Sequence, residues 1–149
     1  MKIEEEIKQK KFKDDYQKLV VNLLYTSNWM NAQFELLFKN SGITLQQYNV
    51  LRILRGQYPK PSSIKLIKER MLDRMSDASR IVDKLVLKKL VIRNQCPNDR
   101  RSVDVVISED ALNLLQTMDV LDEKAKEILK SLSKTEIIVL NDLLDKLRG

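Results

Sequence analysis

Residues 74–108 read RMSDASRIVDKLVLKKLVIRNQCPNDRRSVDVVIS. In the first half, Ala78, Ile81, Val82 and Leu85 recur at three- and four-residue steps, which predicts a helix with one apolar stripe. Arg74, Ser76, Asp77, Ser79 and Arg80 crowd polar groups into the N-terminal half of that helix. The β-prone runs LVIRNQ and VDVVIS then flank the polar loop CPNDRRS, which predicts a β-hairpin. Arg100 and Arg101 stand side by side in that loop. Adjacent arginines do little for hairpin folding, so their placement points to a partner.

Upstream, PKPSS breaks the chain, because Pro59 and Pro61 cannot both sit inside a helix and Ser62 or Ser63 can cap the next one. IKLIKERM then predicts a short helix with Ile64, Ile67 and Met71 inward, and Asp73 is the expected N-cap of the helix that follows. A short helix, a tight turn and a helix with a polar N-terminal face is a helix-turn-helix layout. The second helix of such a pair presents its N-terminal residues to base edges in the major groove. A hairpin directly after it stands where a winged helix carries its wing.

The rest of the chain reads as helices. From Ile7 to about Phe38, apolar residues including Phe12, Tyr16, Leu19, Leu23, Met30, Phe34 and Leu37 recur without Pro or Gly, predicting one long helix. It ends near Gly42. Thr44 with Gln47 can open a helix whose face carries Leu45, Tyr48, Leu51 and Leu54, ending at Gly56. Beyond the hairpin, Ser108 is the expected cap of one helix running through Ala111, Leu112, Leu115, Met118 and Leu121. Ser133 to Glu136 is a capping box that opens a last helix with an apolar seam of Ile137, Leu140, Leu143, Leu144 and Leu147.

The 149 residues suit one domain, and 43% hydrophobic content with three Gly and three Pro favours helices over a β-sandwich. No apolar run could cross a bilayer and the N-terminus is charged, so a cytoplasmic protein is expected. The chain has no His and a single cysteine, Cys96. Histidine-based catalysis, the usual zinc sites and an intramolecular disulfide are excluded, and neither enzyme activity, a cofactor nor a metal is expected. The net charge of +6 is unevenly spread. Residues 55–101 hold 13 basic and 5 acidic side chains, a net of +8, whereas residues 1–54 sum to +2 and residues 102–149 to −4. A basic middle third is the footprint of a polyanion site, with nucleic acid the usual polyanion.

The order of these elements, with ASRIVDKLVLKKLVIR and NDRRSVDVVIS, resembles the MarR family of bacterial transcriptional regulators over essentially the whole chain. The resemblance implies a mainly α fold with a small β-hairpin wing. In that fold, residues 44–107 form a winged helix-turn-helix lobe that binds double-stranded DNA, and residues 1–40 and 109–149 supply the helices of a homodimer. Arg101 is similar to the family's wing arginine that enters the minor groove, and Asp99 to the acid that orients it. Arg100 is either an orienting partner or a phosphate contact. A narrow minor groove attracts an inserted guanidinium by shape and potential. Arg74 and Arg80 are candidates for guanine or phosphate contacts, Ser76, Asp77 and Ser79 for short hydrogen bonds, and Lys84, Lys88 and Lys65 for phosphate anchors.

The resemblance also implies a small aromatic or phenolic effector, for which Tyr25, Trp29, Met30, Tyr48 and Arg52 are candidate contacts; packing is the competing role for each. Cys96 invites a redox reading because Arg93, Arg100 and Arg101 could lower its pKa. Without a resolving partner in its own chain, an incidental place at a strand edge outweighs that reading. The alternative function is a winged-helix module for protein–protein interaction, since a fold does not decide function.

Overall fold

Local caps and tight turns divide the chain into its elements. The computed structural model describes residues 1–97 and 102–149, and of Asp122 only the backbone. Two compact units emerge, Met1–Leu45 and Gln46–Gly149.

The first unit holds α1 (Ile3–Glu6) and α2 (Asp15–Phe38). The single long helix expected from Ile7 is therefore corrected to a short helix, a break and a later start. The cause is a stronger local signal: Asp14 accepts from Gln17 N at 2.8 Å, and Gln17 Oε1 accepts from Lys13 N at 2.7 Å. This reciprocal cap starts a helix at Asp15 and leaves the mutually repelling Lys8, Lys10, Lys11 and Lys13 outside it. Lys8 turns the chain with φ 54°. Glu4 Oε1 pairs with Lys18 Nζ at 2.6 Å, and Glu6 Oε2 accepts from Tyr25 OH at 2.7 Å, so two of the three carboxylates of α1 are tied to α2. The expected apolar stripe of α2 is largely uncovered: Tyr16, Leu19, Val20 and Leu24 are exposed. Phe38 is buried at the helix end, and Gly42, with φ 72°, takes the left-handed conformation that the following turn requires.

The second unit begins within α3 (Leu45–Gln57), which buries Val50, Leu51 and Leu54. Strand β1 (Ser62–Ser63) leads into α4 (Ile64–Arg70), whose cap is Ser63, accepting from Leu66 N at 3.1 Å. Helix α5 (Ala78–Leu87) follows, then β2 (Val91–Gln95) and β3 (Val103–Ile107). The two expected strands pair antiparallel with Val91 opposite Ile107 and Gln95 opposite Val103. Strand β1, absent from the expectation, adds to the other edge of β3 through Ser62 and Val105, giving the order β1-β3-β2. Val105 and Ile107 of β3 join Ile67, Val82, Leu85, Ala111 and Leu115 in the core.

A Schellman motif ends α5: Leu90 N donates to Leu85 O at 3.0 Å and Lys89 N to Val86 O at 2.9 Å. The residue at its left-handed position is Lys89, φ 60°, where glycine would carry no Cβ penalty. Lys89→Gly is expected to raise the unfolding free energy by about 1 kcal/mol in urea melts.

Ser108 caps α6 (Glu109–Met118), accepting from Ala111 N at 3.2 Å. The single helix expected from Ser108 is corrected to α6 and α7 (Val120–Leu129), separated at Asp119. There Asp119 Oδ1 accepts from Arg55 Nη1 at 2.9 Å, a contact 64 residues distant in sequence. Ser133 and Glu136 form the expected capping box of α8 (Lys134–Arg148). That helix buries none of its residues, and Leu140, Leu143 and Leu147 are 44%, 57% and 61% exposed. Among the described residues no helix is long and apolar enough to cross a membrane.

Candidate nucleic-acid interface

The site is built from α4, the turn after it, and α5. Helix α4 ends where Met71, buried, swings into an extended conformation. The turn is then fixed by hydrogen bonds. Leu72 N donates to Asn49 Oδ1 at 3.0 Å, Met75 N to Asp73 Oδ1 at 3.0 Å, and Ser76 Oγ to Asp73 Oδ2 at 2.5 Å. The Ser76 hydroxyl, followed by the Met75 amide, holds the Asp73 carboxyl below its ordinary value.

Asp73 was the expected cap of α5; the structure corrects this to Asp77, which accepts from Arg80 N at 3.1 Å. Once Ser76 and the turn amides satisfy Asp73, the first free helical amides lie four residues on. Arg74 and Ser76 therefore belong to the turn, and Ser79, Arg80 and Lys84 to the helix.

A folded-state pKa lowered in this way contributes stability above the unfolded carboxyl's pKa, and the contribution is lost as pH falls through the folded value. Ser76→Ala is expected to move the Asp73 midpoint upward in an NMR titration. It is also expected to lower the melting temperature at neutral pH more than at acidic pH.

Ala78, Val82 and Leu85 form the buried side of α5. At about 100° per residue, Arg80, Lys84 and Leu87 project from the opposite side. Arg74, Asp77, Arg80 and Lys84 are exposed, while Ser76 and Ser79 are half-buried. The two other expected anchors, Lys65 and Lys88, are both exposed, and Lys88 Nζ also donates to Gln47 Oε1 at 3.0 Å. Asp83, on the outward side of α5, pairs with Arg93 of β2, so an acid that would oppose a polyanion is neutralised. Two apolar residues of the turn escaped the sequence reading: Leu72 is 85% and Met75 93% exposed. Their signal was present, since both fall between the two helical stripes.

Asp99, Arg100 and Arg101 lie outside the described residues. The strands that lead to and from them are formed, and Cys96 N donates to Ser102 O at 3.1 Å as the last described link between them. Cys96 is half-buried.

The effector candidates divide between the units. In the first, Tyr25 OH donates to Glu6, which raises the tyrosine pKa, Trp29 is exposed and Met30 is half-buried. In the second, the Arg52 guanidinium carbon stands 5.8 Å from the centre of the Tyr48 ring, within cation–π range.

Residues 43–103 match the model of the MarR family. A MarR transcription factor from Planctomyces limnophilus is 29% identical, with a TM-score of 0.70 over 91% of this chain and 98% of that one. An organohalide-sensing transcriptional regulator in its 2,4-dichlorophenol-bound form is 19% identical, with a TM-score of 0.82 over 94% of this chain and 85% of its own. A mutant MarR from E. coli complexed with operator DNA is 24% identical, with a TM-score of 0.74 over 86% of this chain and 92% of its own. The match covers α3 through the start of β3, the segment that contains the turn and helix of the candidate interface. Residues 43–103 thus resemble the MarR family in sequence, and the chain has the fold of the solved MarR-family transcription regulators.

Proposed function

We propose that this chain is a homodimeric, DNA-binding transcription regulator that represses from a pseudo-palindromic operator. One observation carries the reading. Arg74 in the turn before α5, Arg80 in its first turn and Lys84 in its last turn are all exposed, the two helical residues opposite the buried stripe, in the region of highest positive charge. In this reading α5 enters the major groove, Arg80 and Arg74 contact guanine or phosphate, and Lys84 neutralises a phosphate. Ser76, Asp77 and Ser79 stand at the groove-facing end, where Asp77 also serves as the helix cap. By the family resemblance, Arg101 is assigned to the minor groove, Asp99 to orienting it, and Arg100 to an orienting or phosphate-contacting role. The repressing outcome rests on the family resemblance.

Residues 44–107 make up the DNA-binding lobe, and residues 1–40 and 109–149 make up the dimer seam. Exposed leucines along α8 support that division, because a stripe of this kind is costly in water and suits burial against a second copy. A small aromatic or phenolic effector, for which Tyr25, Trp29 and Met30 of the first unit and Tyr48 and Arg52 of the second are separate candidate contacts, shifts the population between DNA-competent and incompetent spacings of the two recognition helices. The dichlorophenol-bound regulator of similar fold supports this class of ligand.

Selection of bound duplexes from a random library tests the reading. A two-fold symmetric protein should enrich inverted half-sites centred about 10 base pairs apart, or a multiple of that spacing. Enrichment of no shared sequence would count against it.

A further inference from the structure

Met75 is 93% exposed, yet it is not on a loose segment. Its own amide is bonded to Asp73 Oδ1 at 3.0 Å, the next residue's hydroxyl to Asp73 Oδ2 at 2.5 Å, and Leu72 N anchors the near end of the turn to Asn49 of α3. A rigid turn thus holds an apolar, polarisable side chain out in water between Arg74 and the cap of α5. Holding it there costs free energy unless a partner covers it.

The partner must be anionic to suit Arg74, Arg80 and Lys84, and must also offer an apolar spot among its polar groups. Duplex DNA meets both conditions in one place. The major groove is lined by base donors and acceptors and presents one apolar group, the 5-methyl of thymine. We propose that Met75 is a specificity-determining residue that packs on the thymine 5-methyl group in each half-site, an inference that rests on the DNA-binding reading above. Position agrees with chemistry, since the turn immediately precedes the N-terminal end of α5, the end that faces base edges. The locked turn also supplies affinity by preorganisation, because little rotational freedom of the backbone remains to be lost on binding.

The test is a coupling measurement. Duplexes selected from a random library by the wild-type chain are resynthesised with deoxyuridine in place of each thymine in turn. Replacing T by U removes only the methyl group. Binding is measured for wild type, Met75→Ala and Leu87→Ala, with thermal melts confirming that the exposed substitutions leave the fold intact. At one symmetric pair of thymines, the loss of a methyl contact should weaken wild-type binding about fourfold per half-site, or roughly fifteenfold for the pair. Met75→Ala should bind the thymine duplex more weakly and be indifferent to deoxyuridine at that position. Leu87→Ala, which removes an exposed leucine from the far end of the helix, should keep the full deoxyuridine effect. If wild type binds a selected sequence but Met75→Ala retains the same deoxyuridine sensitivity at every thymine, the proposal is overturned while the DNA reading stands. If wild type selects no sequence, the DNA reading fails and the proposal fails with it.

Discussion

Replacing Leu140 and Leu143 by Asp should leave a folded monomer that no longer recognises its operator. Neither leucine is buried within its own chain, at 44% and 57% exposed, so the substitutions disturb no core. Helix α8 keeps its Ser133 capping box and its intrahelical Arg148–Asp145 pair, and its formation is not threatened. Covering a leucine contributes roughly 1.5–3 kcal/mol, and symmetry applies each contribution twice. A carboxylate on the seam adds a desolvation cost of several kcal/mol. The proposed dimer should therefore weaken by at least about a thousandfold, equivalent to roughly 4 kcal/mol. Sedimentation velocity would show a wild-type dimer near twice the 17.4 kDa chain mass and a monomeric variant. With one half-site engaged in place of two, operator affinity should fall by about a hundredfold or more.

Arg80→Ala should reduce affinity for the selected operator strongly and non-specific affinity weakly. Arg80 lies in the first turn of α5 on the side away from Ala78, Val82 and Leu85, and its backbone amide is already used by the Asp77 cap. The residue is exposed. Losing a bidentate guanine contact costs about 1–3 kcal/mol per half-site, hence roughly a thousandfold in a symmetric complex at the middle of that range. Lys84→Ala offers the contrast. A lost phosphate contact should weaken all sequences alike and reduce the salt slope by about one per subunit. Equal effects of Arg80→Ala on selected and scrambled duplexes would reassign Arg80 to phosphate.

The central part of the fold could be read from sequence because its signals are local. Ser108 and Ser133 each cap the helix they were expected to cap, and Ser63 is the one of two candidate serines that caps α4. Of the four residues of α5 expected to face inward, Ala78, Val82 and Leu85 are buried and Ile81 is half-buried. Where expectation and structure diverge, the deciding contact was either non-local or masked by a louder pattern. Asp73 and Asp77 are equally good caps in isolation; the choice between them depends on Asn49, which captures Leu72 N from 23 residues away, and on Ser76. Strand β1 is two serines whose strand character exists only through pairing with β3. The division at Asp119 accompanies an ion pair to Arg55 that no window of sequence contains. The start of α2 is different. Asp14 and Gln17 spelled out a cap, but unbroken apolar spacing from Ile7 onward obscured it.

The candidate interface divides in the same way. Charge and residue type pointed to Arg74, Arg80 and Lys84, and the structure places all three in water on or beside α5. Periodicity could not reveal that Lys88 is engaged by Gln47, nor that Asp83 is neutralised by Arg93. Met75 went unremarked because a sequence scan for DNA contacts looks for charge, whereas its exposure on a rigid turn is a three-dimensional fact.

The most direct test of the DNA-binding account is fluorescence anisotropy of the purified chain on a selected duplex and a scrambled control, across a salt series, with Arg101→Ala measured in parallel. Binding to the selected duplex should be tight and should fall about a thousandfold or more between roughly 50 and 200 mM salt, as several phosphate contacts require. Arg101→Ala should bind more weakly at every salt concentration. Weak, salt-insensitive binding that is equal for both duplexes and unchanged by Arg101→Ala would contradict the account and point to a protein partner for the cationic face.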